Sequence, residues 1–157
     1  MMSEEVVEFW NAFCRHRAVE AVTPYQVWFF GNSDEMAREL AELVIAGVKT
    51  ATASLAETNK IEPWNAPIKD GYSVVTDFGG KPLCVIRTTE IRHVPFREVG
   101  PGFAADEGEG DRTIEYWRKV HEEYFLKEAD KLGFDFTHDS IVCCERFEML
   151  FMSEPPE

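Results

Sequence analysis

The sequence contains no run of about 18 apolar residues, the length that an α-helix needs to cross a membrane. Its N-terminus, MMSEEVVEFW, is acidic, whereas a signal peptide places basic residues before an apolar segment. There are only 10 glycines and 8 prolines among the 157 residues, which excludes collagen-like and low-complexity chains. We therefore expect a cytoplasmic protein that does not contact a membrane.

Residues with the spacing of metal ligands or cofactor motifs are also missing. The four cysteines form no C-x-x-C pair, and no histidine lies near them at zinc spacing. The acidic stretch from Ala105 to Asp111 does not follow the calcium-loop pattern D-x-[DN]-x-[DN]-G. No P-loop, no G-x-S-x-G and no H-E-x-x-H is present. The sequence therefore predicts a protein that uses no metal and no cofactor.

Positive charge is scarce, with 16 Lys and Arg against 29 Asp and Glu and a net charge of −13. A protein that grips nucleic acid by its phosphates usually carries a basic face, so DNA is not an expected partner. RNA would require that the few cations cluster around a cleft, and the candidates are Arg87, Arg92, Arg112, Arg118 and Lys119. The sequence leaves the oligomeric state open.

Hydrophobic residues make up 45% of the chain, with 12 Phe and 4 Trp, which is enough to form the core of one domain. Helical spacing and capping residues predict helices at 4–17, between the cap at 32–33 and Gly47, and at 112–132. Alternation and turn residues predict strands at 25–30, 48–54, 72–78, 83–91 and 141–152, with irregular stretches at 56–71 and 95–111. This order does not match a parallel doubly wound sheet and favours an α+β fold with a small mixed barrel.

Lys49 and Thr52 follow directly on the end of the second predicted helix. A lysine amine in an apolar cavity has a lowered pKa and can deprotonate a hydroxyl group. That pairing is the Ser–Lys form of nucleophilic catalysis, here with threonine as the nucleophile. A surface lysine beside strand threonines has the same spacing, so this alternative stays open.

Glu107 and Glu109 lie in the acidic glycine-rich stretch Ala105–Asp111. Glycines allow a backbone to approach a ligand, and a carboxylate in such a loop can transfer a proton or bind a cation. The alternative is that these acids only complement the dipole at the start of the next helix. His121, on the apolar side of that helix, is typical of a hydrogen-bonded core histidine. Trp64, which lies in a loop between two prolines, is predicted to contact a ligand.

Four segments of the chain resemble the ASCH domain, a family related to the PUA RNA-binding domains. They are Val27–Gly31, the G-x-K-x-x-T segment at Ala46–Thr52, Glu107–Asp111, and the helix with Trp117 and His121. The resemblance spans about residues 25–151 and implies a PUA-like mixed β-barrel of five to six strands flanked by helices. It divides the chain into an N-terminal helical extension packed on the domain (1–24), the ASCH domain (25–152) and a frayed tail (153–157).

The resemblance also implies an RNA-related or nucleoside ligand. Small bacterial members of the family act as metal-free amidohydrolases on N4-acetylcytidine with a Lys, a Thr and a Glu. Lys49 and Thr52 match the first two at the same spacing, and we prefer Glu107 to Glu109 for the third because it opens the E-G-x-G-D pattern. A non-catalytic RNA-binding module and a ribonuclease, both also found among relatives, remain alternatives. The residues predicted to bind the ligand are Trp28, Trp64, Glu109 and Arg112.

Overall fold

The computed structural model describes residues 3–153. Within them the chain forms five α-helices and five β-strands: α1 (Glu4–Arg17), β1 (Tyr25–Trp28), α2 (Asp34–Ile45), β2 (Ala51–Leu55), α3 (Ala56–Ile61), β3 (Tyr72–Thr76), β4 (Pro82–Pro95), α4 (Pro101–Glu107), α5 (Ile114–Leu132) and β5 (Ile141–Met152). Short 3-10 helices lie at Pro63–Asn65 and Phe96–Glu98. None of these helices is both long and apolar enough to cross a membrane.

The five strands form one mixed sheet in the order β1-β3-β4-β5-β2. β1 pairs with β3 in parallel, and every other pair is antiparallel. Two register shifts interrupt the β4–β5 ladder, between Val85 and Ile86 and between Thr88 and Glu90, and such bulges bend a strand. The α+β class with a small mixed sheet flanked by helices is confirmed. Across residues 3–153 no ladder joins the edge strands β1 and β2, so the predicted barrel is not closed.

The two stretches predicted as irregular contain short helices. Residues 56–71 include α3, and residues 95–111 include α4, which begins at Pro101 with Gly100 as its N-cap. α3 has 6 residues and α4 has 7, so neither is long enough to show an amphipathic repeat in the sequence. The predicted strand at 48–54 is also displaced, because β2 begins only at Ala51.

α1 packs on the sheet through a cluster in which Val6, Trp10 and Phe13 contact Val74 and Val85. Ser3 caps the helix by accepting a hydrogen bond from the Val6 backbone N–H. The division between a 1–24 extension and a 25–152 domain stays a prediction. Of the predicted frayed tail at 153–157, only Ser153 belongs to the described residues, and its N–H donates to the Leu83 carbonyl.

The two faces of the sheet near β2 carry separate apolar clusters. The α5-side cluster includes Ala51, Phe96, Phe103, Trp117 and Cys144. The α2-side cluster includes Phe30, Val44, Ile86 and Phe147. Because β2 is an edge strand, the segment that leads into it lies where these two clusters meet.

Candidate functional site

Lys49 lies in the short segment between α2 and β2. α2 ends at Ile45, and Gly47 takes the left-handed conformation, with φ at 79°. The backbone N–H groups of Val48 and Lys49 both donate to the Leu43 carbonyl at 3.0 Å, which turns the chain inward. The side chain of Lys49 is buried, with its Nζ 5.5 Å from the centre of the Phe30 ring. The alternative of a surface lysine is therefore wrong.

The ammonium group of Lys49 is held by two glutamates from the end of α4. Nζ donates to Glu107 Oε1 at 3.0 Å and to Glu109 Oε2 at 2.9 Å. It also lies 3.3 Å from the Glu107 backbone carbonyl. The side chains of Lys49 and Glu107 are 0% and 1% exposed, whereas Glu109 is 14% exposed. Glu109 is thus the member of this ion triplet that is nearest to solvent.

Gly108 brings both glutamates to the lysine. It is the C-cap of α4, with φ at 70°, and a Cβ at this position would lie 2.5 Å from the Val48 carbonyl oxygen. Only glycine allows this approach of the two backbones. The Thr50 N–H adds a 2.7 Å hydrogen bond to the Asp106 carbonyl. Gly108 in the acidic stretch therefore serves to position Glu107 and Glu109 beside Lys49.

The second carboxylate oxygen of Glu107 is held by α5. The indole N–H of Trp117 donates to Oε2, and Nε2 of His121 lies 3.1 Å from the same atom. Nδ1 of His121 is 2.9 Å from the Trp117 carbonyl oxygen, and the two rings stack at 4.2 Å. His121 is thus the buried, hydrogen-bonded histidine that its helical position indicated, and its partner is a residue of the site.

The pKa of Lys49 moves opposite to the direction expected for an isolated buried amine. Burial alone lowers it, but the charges and hydrogen bonds of Glu107 and Glu109 outweigh burial, so the pKa is raised. Lys49 is an ammonium ion in this structure. The expectation of a lysine with a lowered pKa is therefore wrong for this arrangement of the site.

The two glutamates differ in their affinity for a proton. Burial raises the pKa of Glu107, but Lys49 and His121 outweigh burial and hold it well below its usual range. The pKa of Glu109 is raised, because burial and the charge of Glu107 outweigh Lys49. For His121 burial lowers the pKa, but Glu107 outweighs burial and raises it. Glu107 is thus the permanent anion, and Glu109 is the acid that takes up a proton more easily.

Thr52 lies on β2 directly opposite Glu145 of β5, so both side chains are on the same face of the sheet. Phe147 shares that face and contacts Phe30, the ring that lies beside the Lys49 ammonium group. Glu145 is buried, and its Oε2 accepts a 2.6 Å hydrogen bond from Thr88 Oγ1. Thr52 therefore shares a face with a second buried acid, although no hydrogen bond joins it to Lys49 in the part of the chain described.

Burial raises the pKa of Glu145 to about 7, while the Thr88 hydrogen bond and the Lys49 charge act in the opposite direction. The residues on either side of Glu145 in the sequence indicate that its side chain faces inward. The alternation of β5 places Val142 and Cys144 on one face and Cys143, Glu145 and Phe147 on the other. An acid among apolar residues on an inward face is a candidate site residue, although Glu145 is not among the site residues predicted from the sequence.

Glu107, Glu109 and His121 offer three ligand atoms within 4.8 Å of one another, which is a spacing that a metal ion could use. The Lys49 ammonium group already donates to both of these glutamates at 2.9–3.0 Å. Its positive charge opposes a second cation at the same carboxylates. The donor set therefore fits a metal only if Lys49 moves or loses its proton.

The other predicted ligand-binding residues do not contact this cluster. Trp28 packs edge-to-face on Phe30 at 4.8 Å, so it borders the site through that ring. Trp64 is 68% exposed, and its carbonyl accepts a hydrogen bond from Gln26 of β1. Arg112 donates from Nε to the Ala105 carbonyl rather than to a carboxylate of the cluster. The structure thus brings together Lys49, Glu107 and Glu109, with Thr52 on the adjoining strand.

Two of the cations that would form a basic rim, Arg87 and Arg92, have local partners. Arg87 lies over the Tyr72 ring and donates to the Asp70 carbonyl, and Arg92 pairs with Glu90. Two surface cavities also lie away from this cluster. One, of about 300 Å³, lies between Leu55 and Ile141, and the other, of about 340 Å³, lies between Tyr25 and Tyr72. The candidate site at Lys49 is therefore identified by its buried charges.

Comparison with known proteins agrees with this architecture. The family model of the ASCH domain matches residues 26–150. An ASCH domain structure from Lactobacillus crispatus is 28% identical, with 96% of each chain covered and a TM-score of 0.88. Protein EF3133 from Enterococcus faecalis is 33% identical, covering 95% of this chain and 90% of its own, with a TM-score of 0.86. No curated protein matches the sequence. The chain belongs to the ASCH domain family, a PUA-like family.

Proposed function

We propose that this protein binds a cytidine-type nucleoside at the Lys49 site and hydrolyses an acyl group from its N4 amide. The observation that supports this proposal is the burial of the Lys49 ammonium group between Glu107 and Glu109. Buried ion pairs contribute little net stability, because desolvation offsets their attraction. Titratable groups that are perturbed in this way are candidates for a functional site.

The reaction requires Lys49 to lose a proton before it acts as a base. Glu109 accepts a 2.9 Å hydrogen bond from Nζ and has a raised pKa, so it is the acceptor of that proton. The transfer leaves a neutral amine and a carboxylic acid within one hydrogen bond. Glu107 keeps its negative charge and holds the amine in place through its contacts with Trp117 and His121.

The neutral amine of Lys49 takes the proton of Thr52 while Thr52 Oγ1 forms a bond to the acyl carbon. The carbonyl π electrons move to the oxygen, and their return breaks the bond between the acyl carbon and N4. Glu109 donates its proton to the departing N4. A water molecule then hydrolyses the threonine ester, which releases the carboxylic acid and restores the threonine hydroxyl. The proton donor in this mechanism is therefore Glu109. Glu107, which the sequence favoured for that role, stays an anion.

The charge of the protein supports a nucleoside rather than a polynucleotide. The chain carries a net charge of −13, and a free nucleoside has no phosphate to be repelled. The test is to incubate the protein with N4-acetylcytidine and, separately, with single-stranded RNA, and to separate the products. We expect cytidine and acetate from the first and no cleavage of the second. Cleaved RNA with intact N4-acetylcytidine would contradict the proposal and favour a ribonuclease.

A further inference from the structure

On the face of the sheet that carries Thr52, a second buried acid is not used by the proposed reaction. Glu145 is 6% exposed, and one of its oxygens is fixed by the Thr88 hydroxyl group at 2.6 Å. The other oxygen, Oε1, forms no hydrogen bond with any residue in 3–153. Among those residues the one fully buried side-chain oxygen without a partner is Thr58 Oγ1, so Oε1 of Glu145 keeps some access and is available to a ligand.

The surroundings of Glu145 determine which form of the carboxyl group is present. Lys49, from the segment before β2, is the charged group that acts on it, and Thr88 of β4 contributes an uncharged hydroxyl. Cys143, on its own strand, is the other titratable neighbour, and burial raises the pKa of its thiol to about 11, so it is uncharged. Below about pH 7 Glu145 is therefore a neutral acid that has an O–H group to donate.

Because Glu145 lies directly opposite Thr52, it is a near neighbour of any ligand whose acyl group contacts Thr52. In an N4-acylated cytosine, the ring atoms next to the amide-bearing carbon are N3 and C5, and of the two only N3, on the Watson–Crick edge, accepts a hydrogen bond. We infer that Glu145 is the recognition residue of the site and donates a hydrogen bond from its carboxyl group to N3 of a cytosine ring. Thr88 positions the carboxyl group by holding its other oxygen.

This inference rests on the proposed function for the class of ligand, but it is tested by binding rather than by turnover. Calorimetry measures the affinity for cytidine and for 3-deazacytidine, in which a C–H group replaces N3. Measurements at about pH 6 and about pH 8.5 lie on either side of the Glu145 titration. We expect the wild-type protein to prefer cytidine by about 3- to 10-fold at the lower pH, the range of one hydrogen bond. The preference should vanish at the higher pH, where the carboxylate has no proton to donate.

Glu145→Gln provides the decisive variant, because an amide can donate a hydrogen bond at every pH. We expect it to prefer cytidine at both pH values, while Glu148→Gln, an exposed glutamate of the same strand, should behave as the wild type. A preference that does not change with pH in the wild type would overturn the role of Glu145. So would a Glu145→Gln variant with unchanged binding and a lower kcat, since Glu145 would then act in the chemistry.

Failure of the proposed function would give a different result. If the wild-type protein binds neither nucleoside at either pH, the cytidine class is wrong, and both proposals are overturned. If it binds both nucleosides equally at both pH values, the ligand class survives and only the recognition role of Glu145 is lost.

Discussion

Lys49 carries the charge that allows Glu107 and Glu109 to remain buried side by side. Lys49→Met keeps most of the side-chain volume and removes this charge, so we expect no measurable hydrolysis of N4-acetylcytidine. Removing one partner of a buried ion pair also costs about 3–5 kcal/mol, and the free energy of unfolding should fall by this order. Denaturant unfolding at neutral pH measures the loss. The control is Lys60→Met, whose side chain is 73% exposed, and it should stay within about 0.5 kcal/mol of wild type.

The stability of Lys49→Met should depend on pH in a defined direction. Without the ammonium group, burial and mutual repulsion raise the pKa values of Glu107 and Glu109 in the folded state. A carboxyl group whose folded pKa is raised costs nothing below its unfolded pKa, and its cost grows as the pH rises toward the folded value. The variant should therefore recover stability on acidification toward about pH 4 relative to the wild type. A stability deficit that is the same at all pH values would contradict the buried carboxylate pair.

The donor atoms of Glu107, Glu109 and His121 lie close enough together to bind a metal ion. In the proposed reaction, the positive charge of Lys49 takes the role that a metal ion would have. A lysine ammonium group stabilises developing negative charge without a metal. Hydrolysis should therefore proceed at an unchanged rate after dialysis against EDTA. Activity that is lost to EDTA and restored by a divalent ion would instead support the ribonuclease-like use of these three residues.

The resemblance to the ASCH family selected Lys49, Glu107 and Glu109, whereas the local patterns of glycine, threonine and acid left a surface lysine and helix-dipole acids open as alternatives. Those patterns could not show that the three residues meet, since 58 and 60 residues separate the lysine from the two acids. Glu145 and the contacts of His121 depend on tertiary packing and on strand register, which no local pattern encodes. The pKa direction of Lys49 depends on the same packing, and this is why the expectation of a neutral amine failed.

The short helix α4 places the acids of the site, and its C-cap Gly108 is the position that permits this. Gly108→Ala would force a Cβ to within 2.5 Å of the Val48 carbonyl in a left-handed conformation. We expect a loss of about 1–3 kcal/mol in the free energy of unfolding together with lower activity. Gly102→Ala, in the first turn of α4 with open space around its Cβ, is the control and should be neutral or slightly stabilising. Equal effects of the two substitutions would contradict the close approach.

Long elements with a repeated pattern were predictable and short ones were not. α1, α5 and β5 were predicted within about two residues, since each contains several turns or alternations. α3 and α4 were missed, because 6 or 7 residues do not establish a helical period and tertiary contacts stabilise them. The site depends on α4, because this helix positions Glu107 and Glu109. The element that positions the two acids was therefore one that the sequence pattern did not predict.

For the whole molecule, the excess of negative charge makes the response to salt a test of the ligand class. An uncharged nucleoside releases no counterions on binding, so kcat/KM for N4-acetylcytidine should change less than about 2-fold between about 50 and 200 mM salt. A ligand held by 6–10 phosphate contacts would lose about 10³–10⁵ in affinity over the same range. Steady-state kinetics across a salt series measures this. A steep fall with salt would indicate a polyanionic ligand and favour RNA.

The most direct measurement is the rate of N4-acetylcytidine hydrolysis by Thr52→Val compared with wild type. Valine has the shape of threonine without the hydroxyl group, so the fold is expected to be retained while the nucleophile is lost. Thr89→Val, which removes an exposed hydroxyl group from β4, is the matched control. We predict wild-type rates for Thr89→Val and a loss of at least about 10³-fold for Thr52→Val. Full activity in a correctly folded Thr52→Val protein would contradict the assignment of Lys49 and Thr52 as the reactive pair.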